Sequence, residues 1–251
     1  MEPRGLVFSF KDLIDECMVL KAFAKPFLDK TTLETLDLAR YNLESIQASG
    51  VWNQSSKWQI PANRPLCTVP SEGESQPDKK SKFLLRGKFS FVWEIRAEKP
   101  KKGPRSHTFS LEGLASTVID IMEQTSDGER CIAHWTVDVG DHSSPGTHFH
   151  FQMNGFEKPP FPKALDIPRL PAPLMSPFLA IDLALGELFQ DRWALHATSE
   201  SPDIRRWRNL HGERLLRFFK WQSGCVERAA GSPWIALKKA KPPRDLLVCK
   251  L

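Results

Sequence analysis

Of the seven histidines in the chain, four (His134, His142, His148 and His150) fall within 17 residues. The runs that carry them, 131–139 and 147–153, alternate apolar and polar side chains, the pattern of half-buried strands. Between them lies Gly140-Asp141-His142-Ser143-Ser144-Pro145-Gly146, so the pair predicts a β-hairpin with a long, turn-rich loop. If Val139 pairs with Thr147, then Asp138 faces His148, Thr136 faces His150 and His134 faces Gln152. Side chains alternate across a strand, which puts these six on one side and Trp135, Val137, Val139, Phe149 and Phe151 on the other. A register slip of two residues keeps that division, and a slip of one destroys it.

Two kinds of chemistry fit the polar side. Residues i and i+2 on a strand, such as His148 and His150, stand about 6.5–7 Å apart and can share a divalent metal such as zinc. A third ligand from His134 or Asp138 would leave an open position for water. Without metal, neighbouring imidazoles can divide general acid and general base roles near neutral pH. On either route His134, His148, His150 and Asp138 are the candidate catalytic residues of a hydrolase or phosphodiesterase, with Glu94 or Arg96 able to complete the site. The plainer expectation is the wet face of an antiparallel sheet. Pro145-Gly146-Thr147-His148-Phe149-His150 is similar to the cupin Pro-Gly…His-x-His stretch. A cupin places a glutamate four or five residues after the second histidine, whereas Glu157 comes seven after it and the second half of the motif is missing. That family is excluded.

A second concentration lies between Ser201 and Trp221. Ser201-Pro202-Asp203 is a helix start, and Ile204, Trp207, Leu215, Phe218 and Phe219 form an apolar stripe with Leu210 and Leu216 at its margins. Around it stand Arg205, Arg206, Arg208, Arg214, Arg217 and Lys220, opposed only by Asp203 and Glu213, so this helix holds a net +4 of the overall +5. Arginine forks to phosphate and stacks on bases, which makes a nucleic-acid or other polyanion surface the leading expectation. The opposing expectation is a solvated face whose arginines pair with carboxylates elsewhere. The basic loop Lys99–Arg105 and the tail cations Lys238, Lys239, Lys241 and Arg244 strengthen the polyanion reading if all three segments meet in space.

Other elements must hold these two features. Ser9 with Asp12 and Thr31 with Glu34 are capping-box starts of two helices within residues 1–50, the second closed by Gly50. Phe89, Phe91, Trp93 and Ile95 alternate with polar residues as a strand, a short strand lies near 107–111, and 114–123 is expected to be helical. Seven prolines between 157 and 177 predict an extended crossing. Ser176-Pro177 then opens an apolar, buried helix to about Phe189, and the chain beyond 229 reads as irregular.

These features predict one α+β domain. It comprises a helical part (1–50), an antiparallel sheet of about four strands (83–155), the Pro-rich crossing (156–177), a second helical part (178–222) and an irregular tail (229–251). Helices from both ends are expected to cover the aromatic face and leave the His-rich face polar. Composition is ordinary for a soluble globular chain, with 41% hydrophobic and 26% charged residues. Five scattered cysteines without a CxxC argue against a disulfide framework or a cysteine zinc site. The uncharged stretch 170–181 is too short to span a membrane, and with no leader-like segment a cytoplasmic location is expected. Gly-rich phosphate loops, Gly-x-Ser-x-Gly and His-Glu-x-x-His are absent, which argues against nucleotide-dependent enzymes of the common types. Three functions remain: a non-catalytic nucleic-acid-binding or accessory protein, a His-dependent hydrolase, and a subunit of a protein assembly with a protein partner.

Overall fold

A computed structural model describes residues 5–52, 54–72, 84–100, 107–139, 148–154 and 169–248. Within them the elements run β1 (Val7–Ser9), α1 (Phe10–Phe23), α2 (Glu34–Ala48), β2 (Ser55–Ile60), β3 (Leu66–Cys67), β4 (Leu84–Ala97) and β5 (Thr108–Thr125). They continue with β6 (Gly128–Val139), β7 (Phe149–Asn154), β8 (Arg169–Pro171), α3 (Pro177–Ala197), α4 (Pro202–Glu227) and α5 (Pro233–Lys239).

The α+β class is as expected, but the sheet is twice the expected size. Eight described strands form one antiparallel sheet in the order β2-β4-β5-β6-β7-β8, with β1 beside the start of β5 and β3 beside β4. The missed strands are β1, β2, β3 and β8, of two to six residues each. Pieces so short carry almost no periodic signal and are held by their neighbours' ladders. The helix expected at 114–123 is also overturned, because it is the middle of the 18-residue β5. There Ala115, Thr117, Ile119 and Ile121 are buried at alternate positions. The run Thr117-Val118-Ile119 is β-branched, and pairing with β4 on one edge and β6 on the other decides the conformation.

Phe89, Phe91, Trp93, Ala115, Ile119, Val137, Val139 and Phe149 are buried in one core with residues of α1 to α4. Trp58 on β2 sits at its centre, edge-on to Phe91, Trp93 and Phe178. At Gly87 a Cβ would come within 3 Å of the side-chain ends of Leu188 and Phe89, so a larger residue there would have to displace side chains at the α3–β4 contact.

Helix starts follow the sequence. Ser9 accepts from the Asp12 N–H, Ser176 from Leu179 and Ser201 from Ile204. Thr31 differs: it bonds Asp29, and α2 begins without a side-chain cap. The apolar helix passes its expected end at Phe189 by breaking at Gln190 (φ 39°, ψ −120°) and resuming to Ala197. The tail is not wholly irregular, since 233–239 forms α5. Among the described residues no helix is long and apolar enough to cross a membrane.

Candidate functional site

On the hairpin, β6 and β7 pair two residues away from the expected register: Val139 meets Phe149, Asp138 meets His150, Thr136 meets Gln152 and His134 meets Asn154. The two-sided division survives, as an even slip requires. The polar cluster does not. His134 now lies four residues from the Asp138–His150 pair, about 13 Å along the strand, too far to share an ion with either. Among the described residues no group of three or more His, Cys, Asp or Glu is placed to hold a metal. The loop with His142, and Glu157, lie outside the described residues.

Two separate Asp–His pairs result. His150 Nε2 stands 3.5 Å from Asp138 Oδ2, and the same oxygen accepts from Gln152 at 3.1 Å and Thr136 at 3.4 Å. Asp138, His148, His150 and Thr136 are all buried, so this end of the face is not the wet surface expected. His148 packs edge-on against Phe149. Further along, His134 Nδ1 and Asp120 Oδ1 are 2.5 Å apart and half-buried, with Cys131 Sγ 3.8 Å from the same oxygen. Burial, and then the Asp120 carboxylate, hold the Cys131 thiol pKa above its ordinary value, which works against a thiolate nucleophile. Arg96 pairs with Glu112, and Glu94 stands beside Gly113, so neither completes the His150 cluster.

The basic helix divides differently from its sequence pattern. Its buried stripe is Ile204, Trp207, His211, Arg214 and Phe218. Arg214 therefore cannot reach nucleic acid: it lies between α1 and α4, paired with Glu16 and 3.3 Å from Asp12 Oδ2. Glu16 also accepts from Ser176 at 2.7 Å, and His211 Nε2 is 3.7 Å from it. Burial raises the Glu16 pKa, but Arg214, His211 and the hydrogen bonds outweigh it and hold the carboxyl below its usual range. Two more of the six cations are engaged. Arg206 pairs with Asp15 at 2.9 Å, and Arg217 donates to the carbonyls of Asp245 and Val248. Arg205, Arg208 and Lys220 are exposed, and none has an ion pair among the described residues.

Arg217 also locates the tail, which it holds against α4. The other side of that segment is fixed by Arg244, which pairs with Glu98 and whose carbonyl accepts from the Val7 N–H at 2.9 Å. Glu98 immediately precedes Lys99, the first cation of the basic loop. Helix, tail and loop base thus converge, with Lys99, Lys238, Lys239 and Lys241 exposed as well. Residues 202–248 hold eleven Lys and Arg against four Asp and Glu. Lys101 to Arg105 lie outside the described residues.

Sequence patterning missed two features here. Phe219 and Leu216 stand on the outside of α4, and Trp234 and Ile235 on the outside of α5. His211 and Arg214 join the buried stripe although both are polar, and their spacing from Trp207 (four and seven) is fully helical. Asp12 and Glu16, one turn apart on α1, were the available signal that a cation had to meet them.

No family model, curated protein or solved structure matches this chain.

Proposed function

We propose that the protein is a non-catalytic nucleic-acid-binding or accessory protein whose contact surface is the outer face of α4 with the tail packed beside it. The convergence of the three basic segments through Arg217 and Arg244 carries this reading. It concentrates Arg205, Arg208, Lys220, Lys238, Lys239, Lys241 and Lys99, none of which has a carboxylate partner among the described residues. Cations free of internal pairing can release counterions from a phosphate backbone, and their binding falls with salt. Fluorescence anisotropy of a labelled oligonucleotide tests it. Affinity should fall more than tenfold between about 50 and 200 mM salt, and replacing Arg205, Arg208 and Lys220 together by Glu should abolish binding. Salt-independent binding, or none at the lower salt, rejects the reading.

A hydrolase reading rests on one observation, the half-buried Asp120–His134 pair. With Nδ1 engaged by the carboxylate, Nε2 is the nitrogen left to exchange protons. Hydrolysis of a phosphodiester probe that vanishes in His134→Gln, with binding intact, would favour it over the non-catalytic reading.

A further inference from the structure

Bulky apolar side chains stand exposed among the cations that have no ion pair with a described residue. Trp234 is 71% exposed, Phe219 52% and Leu216 72%, whereas Trp58, Trp93, Trp193 and Trp207 are all buried. Phe219 stands eleven residues from Arg208, close to three turns, so these two share one side of the helix, and Lys220 follows about 100° further round the exposed arc. Trp234 precedes Lys238 by four residues, one turn along α5, and α5 packs back on α4. An exposed tryptophan is unfavourable in water, and Phe219, although its ring meets Phe218 edge-on, leaves half of its surface open. Aromatic faces interleaved with lysine and arginine match a strand whose bases are open and whose backbone is anionic.

We infer that the surface takes single-stranded nucleic acid, with bases stacking on Phe219 and Trp234 while Arg205, Arg208, Lys220 and Lys238 follow the phosphates. The inference rests on the binding function proposed above and specifies its ligand. Duplex fits poorly, because its bases are stacked away from the protein and its phosphates would meet Leu216 and Phe219 rather than cations. A second copy of this chain fits poorly as well. A two-fold dimer through this surface would set one basic patch against the other.

The test uses the full chain with labelled oligo-dT and oligo-U of about 20 nucleotides, a duplex of equal length, and anionic lipid vesicles. Expected are preference for either single strand over duplex, quenching of tryptophan emission on binding, and a loss of about tenfold in single-strand affinity for each of Phe219→Ala and Trp234→Ala. The aromatic swaps Phe219→Trp and Trp234→Phe should retain binding, and the salt slope should be unchanged in all four variants. The two arms separate the sources, since a preference for oligo-U assigns RNA and a preference for oligo-dT assigns DNA. Equal affinity for duplex and single strand, untouched by the alanine variants, overturns the stacking inference and leaves the basic-surface function standing. Vesicle binding without oligonucleotide binding, or concentration-dependent dimerisation lost in Trp234→Ala, overturns both.

Discussion

Arg205 and Arg214 stand nine residues apart on α4. At 100° per residue that is half a turn beyond two full ones, so the two guanidinium groups leave opposite sides of one helix. Arg214 is almost wholly buried, between Glu16 and Asp12 of α1. Arg205 is exposed and has no ion pair among the described residues. Identical side chains on one helix thus play unrelated parts, one neutralising buried carboxylates and one presenting charge to solvent. Position within the helical period decides which, and residue type alone does not. The inner face is a folding device, and the outer face is the one we propose as a binding surface.

Breaking the inner face should have the largest effect. Arg214→Met leaves Glu16 and Asp12 buried without their cation, which costs about 3–5 kcal/mol. Urea unfolding should show the midpoint falling sharply. Glu16→Met added to Arg214→Met should restore much of the loss, because removing both charges also removes their desolvation cost. A double variant no more stable than the single one would show that Arg214 acts by packing and not by charge.

The next effect follows pH. Burial pushes the His211 pKa down to about 4, only partly offset by Glu16, and Arg214 lowers it further. Both ring nitrogens lack a hydrogen-bond partner among the described residues. An unfolded histidine takes its proton near pH 6.5, so between about pH 6.5 and 4 the unfolded state binds the extra proton. Stability is therefore full above pH 6.5, falls as pH drops through this window, and levels off below the folded pKa. The depression corresponds to about 3 kcal/mol at 1.36 kcal/mol per unit. Glu16, also depressed, loses its contribution on the acid side of the same range. His211→Leu should remove the histidine part of the slope and, having no unpartnered nitrogens to bury, lose little stability at pH 7. Unfolding curves at pH 4, 5, 6 and 7 for both proteins check this, and identical slopes would contradict it.

How much of this was legible in the sequence follows from where the information lies. Helix starts at Ser9, Ser176 and Ser201 are local chemistry, a hydroxyl three residues before an unpaired N–H, and they were readable. The two-sided division of the hairpin was readable too, because it depends only on alternation. Its register was not: alternation is blind to an even slip, and a slip of two residues carries His150 from beside Thr136 to beside Asp138, four residues from His134. β5 was misread because its central residues are apolar enough to suit either period, and only pairing on both edges resolves them. Arg214 was counted with the surface cations because its partners, Glu16 and Asp12, lie almost 200 residues earlier. Whether α4, the tail and Lys99 meet depends on Arg217 and Arg244 contacting distant groups, which no local pattern encodes.

The smallest expected change in stability belongs to the outer face, and its smallness is what makes it informative. Arg205 and Arg208 flank the buried stripe without joining it, and among the described residues neither has a carboxylate to leave unpaired. Arg205→Ala with Arg208→Ala should therefore alter unfolding free energy by no more than about 0.5 kcal/mol in either direction. The same double variant removes two phosphate contacts, so the salt slope of oligonucleotide binding should flatten by about 1.4, at about 0.7 per contact on a single strand. Arg206→Ala is the contrast. Arg206 is committed to Asp15 across to α1, and its removal should leave the slope where it was. If Arg206→Ala flattens the slope as well, the Arg206–Asp15 pair opens on binding and the whole exposed arc of α4 meets the phosphates. If neither variant does, the division between the two faces of α4 stands while the binding surface must be sought elsewhere.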